Sequence, residues 1–197
     1  SKEGKSLKIT ETAPLLFTHT GFSGPAVLRA SAWGARVLAE CNYECLMEVN
    51  FTANVTEALS YDETLSVLQE FKQHNGRKTM QSFSLFELPK RLWSALLGNA
   101  GVAPEQVWAE LNKTQLRQLA EALTQYRFPI EGKATFKEEF VTAGGVKLSE
   151  INFKTYESKL HPQLYLAGEV LDIDAITGGF NFQNAWTGGY IIAESIQ

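Results

Sequence analysis

Glu169, Asp172 and Asp174 stand close together near the end of the chain, and two glycine pairs follow, Gly178-Gly179 and Gly188-Gly189. Carboxylates gathered at a turn accept hydrogen bonds from sugar or polyol hydroxyls. The glycines are the sharper signal. A glycine inside a helix costs about 1 kcal/mol relative to alanine, so a glycine-rich helix start implies that something approaches that backbone closely. "QLYLAG" reads as an apolar strand ending at Gly168, of the kind found at the carboxyl edge of a buried sheet. The acidic loop follows, and Gly178-Gly179 turn into a helix from about Asn181. The amides of Phe180 to Gln183 are then free to face an anion or a polar oxygen. Ala185, Gly188, Gly189 and Ala193 recur at helical spacing as one narrow face of small side chains. Such a unit has the layout of a cofactor site at the edge of an α/β sheet. The same spacing also fits a tight packing turn with solvated acids.

Other candidates are weaker. His19 in "FTHTGFSG" could serve as an acid or base, or be a strand histidine satisfied by neighbouring hydroxyls. His74 and His161 sit beside turn signals and are expected at the surface. Cys41 and Cys45 are too few for a zinc site and lack the CxxC spacing; two reduced, buried thiols are expected. "KTYESKL" gathers Lys154, Tyr156, Glu157 and Lys159, and a structural role is favoured. Trp186 lies off the small-residue face and is expected in the core.

Three stretches of different texture must position these residues. From Leu7 to about Phe51, short β-prone runs ("LKIT", "APLLFTHT", "YECLMEVNF") surround one helix starting at "SGPAVLRASAW", with Ser23 as cap and Pro25 in the first turn. From about Asp62 to Tyr126 the pattern is helical. Leu65, Leu68 and Phe71 precede a stop at Gly76, "LPKRLWSALLGNAG" ends at Gly98 or Gly101, and leucines recur at 116, 119 and 123. From Arg127 strands and glycine turns return, through "RFPIEGKATFKEEFVTAGGVKL". A helical stretch between two β-containing ones has the form of an insertion.

Bulk properties narrow the classes. The 197 residues carry 44% hydrophobic and 20% charged side chains, enough for a globular core. A net charge of −4 offers no electrostatic footprint for nucleic acid or for an anionic membrane, and neither is expected as a partner. No apolar run approaches the roughly 20 residues of a membrane helix, and "SKEGKSLKIT" is not a signal peptide, so a cytoplasmic location is expected. The chain starts at Ser1 without a methionine and is expected to be trimmed, tagged or excised from something longer.

"FTHTGFSGPAVL", "FVTAGGVKLSEINFKTYESKL" and "LYLAGEVLDIDAITGGFNFQNAWTGGYIIAESI" together resemble the second half of BaiN-type flavoproteins. These are FAD-dependent oxidoreductases of the aminoacetone-oxidase-like group. The resemblance runs in order from Leu15 onward. It implies an α+β chain with a β-barrel-like part at 1–61 and an inserted helical bundle at 62–126. At 127–197 it implies a β segment and the returning strand–helix segment of an α/β FAD-binding domain. It also implies that Gly168 and Glu169 lie toward the ribityl and phosphate region of FAD, with Asp172 among the cofactor-binding residues. Gly178, Gly179, Phe180 and Asn181 would approach the isoalloxazine ring, and Thr142, Gly144 and Gly145 would line the same cavity. The family's opening G-x-G-x-x-G turn has no counterpart here, nor has the acidic residue for the adenosine. The expected partners are therefore the missing N-terminal FAD-binding half and an unknown small-molecule substrate, with FAD bound weakly or not at all by this chain alone. The competing expectation is a noncatalytic interaction or ligand-binding module built on the helical insertion.

Overall fold

The computed structural model describes residues 8–54, 57–133 and 141–196. It divides into two compact units, one built from Ser1–Glu44 with Glu131–Gln197, the other from Cys45–Ile130. The fold is mixed α+β, and among the described residues the strands occur as three two-stranded sheets.

In the first unit β1 (Leu16–Thr18) and β2 (Gly21–Ser23) form an antiparallel hairpin, with Phe17 opposite Phe22. α1 (Pro25–Glu40) follows, its proline in the first turn as expected. The cap is Gly24 rather than Ser23, and no side chain bonds the helix start. Ser23 is instead the last residue of β2, paired with Leu16. Residues 8–10 of "LKIT" form no strand, and much of "KATFKEEF" (134–140) lies outside the described residues. β5 (Ile151–Asn152) and β6 (Glu157–Ser158) make a second antiparallel hairpin. α5 (Phe180–Ile196) closes the unit. Its small core is Ile151, Tyr156 and Leu171, with Leu166, Ala167, Ile191 and Ile192 packed against it.

"QLYLAG" does not become a strand. Only Tyr165 bridges to Glu157, and Gly168–Val170 tightens into a 3-10 turn. β6 offers a pairing edge two residues long. Without a longer ladder, the backbone groups of an apolar run find their partners in turns instead.

In the second unit β3 (Glu44–Val49) pairs with β4 (Tyr126–Glu131). α2 (Tyr61–Asn75) starts on a capping box. Ser60 Oγ accepts from the Glu63 amide at 3.3 Å, and the Glu63 carboxylate accepts from the Ser60 amide at 2.8 Å. The Ser60 hydroxyl, and then its amide, hold the Glu63 carboxyl below its ordinary range. α4 (Lys113–Thr124) uses the same device through Asn112 and Gln115. α3 (Lys90–Asn99) stops at Ala100, between the two expected glycines. Leu116, Leu119 and Leu123 are buried as their spacing requires, with Leu68, Leu96, Leu97, Trp93 and Trp108. Trp93 Nε1 donates to the Met80 carbonyl at 2.7 Å inside this core.

The barrel-like expectation for 1–61 is not met by a closed barrel among the described residues. The strands there are short and pair in twos. The cysteines differ from expectation too. Cys41 caps α1 and Cys45 lies in β3. Both are half-buried rather than buried, and neither forms a disulfide. No helix among the described residues is long and apolar enough to cross a membrane.

Candidate functional site

Three segments of the first unit converge before α5. The loop ending at Val146 lies beside the 3-10 turn: the Val146 amide donates to Val170 O at 2.9 Å and the Asp172 amide to Val146 O at 3.0 Å. Gly145 makes this possible. A Cβ there would sit 2.5 Å from the Leu171 carbonyl carbon and 2.6 Å from Val170 O, so no side chain fits. The close approach at Gly145 is thus made by the protein's own backbone. Gly144 has open space before it, and Thr142 is exposed.

Gly168 is buried at φ +78, with Ala185 of α5 against it, so this glycine also serves packing. Glu169 is exposed. Asp172 is engaged: Arg36 of α1 pairs with it at 2.5 Å and reaches Asp174 at 3.9 Å. Asn181 is engaged as well. Its side-chain amide donates to Ala175 O and accepts from the Ala175 backbone amide, both at 2.9 Å, folding 175–181 into a closed loop.

Gly179 differs from these. It takes φ +91, a Cβ placed there would meet nothing within 4 Å, and the Gln183 amide donates back to its carbonyl at 2.9 Å. The left-handed turn is one that L side chains adopt reluctantly. It leaves the first amides of α5 without intrahelical partners and open space in front. Gly178, at φ +134, lies in ordinary contact with the Phe180 ring, which is itself exposed. Beside this turn is an apolar hollow of about 220 Å³ lined by Ala32, Trp33, Asp174, Ala175, Ile176 and Phe180.

The small-residue face of α5 is narrower than its spacing implies. Ala185 and Gly188 pack inward, and a Cβ on Gly188 would come within 2.8 Å of Ala167 Cβ and 2.9 Å of Tyr156 Cε1. Gly189 and Ala193 are exposed. Phe182, Trp186 and Tyr190 form an exposed row at helical spacing, each about two-thirds accessible, and the Phe182 and Trp186 rings stack at 6.1 Å. Trp186 is therefore not a core residue within this chain. Its size signalled burial, but its face of α5 points away from the packed one.

The remaining candidates fall away from this cluster. His19 is exposed in the β1–β2 turn, and His74 and His161 are exposed. Tyr156 is buried in the core, and Lys159 Nζ donates to Ser149 O at 2.9 Å, a structural arrangement. No group of side chains suited to a metal occurs among the described residues. The residue that sequence reasoning missed is Arg36. A single arginine in "SAWGARVL" gives no hint of acids 136 residues away.

Comparison with known proteins decides the family. The family description "HI0933-like protein barrel and H2TH domain" matches residues 2–141. The chain belongs to the HI0933-like family. The ribosomal RNA dihydrouridine synthase of Haemophilus influenzae is 31% identical over 201 residues, covering 98% of the HI0933-like chain and 46% of the relative. The enzyme of the same description from Escherichia coli is 32% identical, covering 92% and 42%. The 3-dehydro-bile acid delta(4,6)-reductase of Clostridium scindens is 31% identical, covering 95% and 45%. The HI0933-like chain thus spans a little under half the length of these relatives.

Proposed function

We propose that this HI0933-like chain is the C-terminal portion of an FAD-dependent oxidoreductase whose dinucleotide-binding half lies in the remainder of the protein. The observation that carries the reading is the two-sided apolar character of α5. One side packs through Ala185 and Gly188, and the other exposes Phe182, Trp186 and Tyr190. A helix apolar on both sides belongs in an interior. In the complete protein the N-terminal half covers the aromatic row, and the short strands of the first unit join a barrel-like part.

The residues present fit one wall of a flavin site. Gly178 and Gly179 keep side chains away from the start of α5, whose free amides suit a polar or anionic oxygen. Trp33, Ile176 and Phe180 line the apolar hollow beside that turn. In this reading Glu169 is an acceptor for ribityl hydroxyls, and Gly144 and Thr142 line the same cavity. Asp172 and Asn181 act by fixing the loop, through Arg36 and Ala175 respectively. FAD, when bound, supplies the hydride and electron chemistry, and the protein orients and shields it. The relatives' names describe net addition of hydrogen to ribosomal RNA or to a bile acid derivative, a step that suits a reduced flavin. RNA and a bile acid derivative are accordingly the two candidate substrates for the complete protein.

The test uses the complete protein. Gly179→Val should abolish flavin retention, since a β-branched side chain would fill the open space and resist the positive φ. Glu169→Ala should weaken binding by about 1.5–3 kcal/mol, the range for a lost hydrogen bond to a charged group. A Gly179→Val protein that melts early yet keeps its flavin while folded would remove the support for close approach.

A further inference from the structure

The net charge of the chain hides an uneven distribution. Residues 71–91 carry five basic side chains, Lys72, Arg77, Lys78, Lys90 and Arg91, against one acidic residue, Glu87, in a chain where acids outnumber bases. Lys72 is used internally, its Nζ donating to Leu111 O. Arg77, Lys78, Lys90 and Arg91 are exposed, and among the described residues none of the four forms an ion pair. Unneutralised surface cations gathered in one stretch of an acidic protein call for a partner of opposite charge.

The aromatic groups sharpen the choice. Phe83 is half exposed, stacked on Phe71 at 5.6 Å, with Lys78 Nζ 6.0 Å from its ring centre. Phe71 also borders a shallow hollow with Val67, Glu70, His74 and Asn75. The Trp108 amide holds the Lys78 carbonyl, and Trp93, one turn into α3, holds the Met80 carbonyl. These two bonds hold segment 78–83, which carries Lys78 and the accessible Phe83 ring, and the second ties it to α3, whose first residues are Lys90 and Arg91. Cations for phosphates beside an aromatic face for bases is the arrangement that binds single-stranded nucleic acid.

We infer that the 71–91 face of the second unit is an RNA-docking surface, with Arg77, Lys78, Lys90 and Arg91 contacting phosphates and Phe83 stacking on an unpaired base. The choice of RNA over other polyanions rests on that exposed ring and on the proposed oxidoreductase reading, in which RNA is one of two candidate substrates. It departs from the expectation drawn from bulk charge, which averages this face with the acidic remainder. It also gives the helical unit the binding role of the competing sequence reading, within a flavoenzyme.

The test needs no flavin, so its failure is distinct from failure of the oxidoreductase reading. A fluorescently labelled single-stranded oligouridylate is titrated with the 197-residue chain, following anisotropy across a salt series. The wild type should bind with a salt-dependent constant. Arg77→Glu combined with Lys78→Glu should weaken binding by about tenfold or more and flatten the plot of log K against log salt by roughly 1.4, at ~0.7 per lost phosphate contact. Phe83→Ala should weaken binding about tenfold, the size of one lost stacking contact, with the salt slope unchanged. Circular dichroism confirms that each variant is folded, and Arg77→Gln with Lys78→Gln replaces a reversal pair that is not. Absence of wild-type binding, or variants that bind like wild type, would overturn the inference. So would polyglutamate of equal charge competing as well as RNA, since that points to an acidic protein instead.

Discussion

Adjacent glycines in α5 should respond to alanine with opposite signs. Both positions are helical, so each substitution gains about 1 kcal/mol of backbone preference. Gly189 has nothing within 4 Å of the new methyl group, and the gain should appear in full. At Gly188 the methyl group would lie 2.8 Å from Ala167 Cβ and 2.9 Å from the Tyr156 ring, both inside the small core of the first unit. Overpacking of that kind costs about 1–3 kcal/mol. The helix contribution cancels between the variants, so the difference between them is the overpacking cost alone, about 1–3 kcal/mol. For a chain of this size each kcal/mol moves a melting midpoint by about 2–4 °C. Because the chain has two units, hydrogen exchange at 185–192 should accompany the melts and report α5 directly. Gly188→Ala should loosen those amides and Gly189→Ala should tighten them. Equal stabilisation by both would refute the close packing of α5 on Ala167 and Tyr156. The proposed covering of α5 by the N-terminal half predicts that in the complete protein the Gly189→Ala gain shrinks or reverses.

Gly145→Ala places a methyl group against the Val170 and Leu171 backbone, which cannot yield cheaply; the loss should reach about 3 kcal/mol, the upper end for overpacking, and appear as lost exchange protection at the Val146 and Asp172 amides. Ser60→Ala should cost about 1 kcal/mol of helix stability by removing the α2 cap, read as a shift in urea midpoint. The folded Glu63 carboxyl titrates below its unfolded value, so its contribution is present above the unfolded value and is lost as pH falls through the folded one. Glu63→Gln should therefore flatten the acid limb of the stability curve and leave its neutral region little changed in slope. Arg36→Ala removes a solvent-accessible pair and should cost less than about 1 kcal/mol, while exchange at 172–176 should rise because the loop loses its tie to α1.

The features legible in the sequence are those whose causes are local. Leu65, Leu68 and Phe71, and the leucines at 116, 119 and 123, recur at helical spacing, and α2 and α4 form over them. Pro25 marks the start of α1 for the same reason, although the cap is Gly24 because Ser23 is held in pairing with Leu16. What depends on distant partners was not legible. "QLYLAG" has the composition of a buried strand, but a strand needs a ladder, and β6 supplies two residues. The role of Asp172 depends on Arg36 in α1, and no spacing rule connects them. The glycines of the candidate site looked alike in sequence and separate only in three dimensions. Gly145 and Gly168 admit the protein's own atoms, whereas Gly179 opens onto empty space.

The most direct measurement is the visible absorbance of the purified complete protein beside that of the 197-residue chain, each after gel filtration. The proposed function predicts a flavin spectrum with about one FAD per molecule in the complete protein and almost none in the chain alone. The second result follows because the phosphate-binding glycine turn, with hydrogen bonds to charged groups worth about 1.5–3 kcal/mol each, is supplied by the other half. A colourless complete protein that gains no flavin on incubation with FAD would contradict the proposed function, as would stoichiometric FAD retained by the 197 residues on their own.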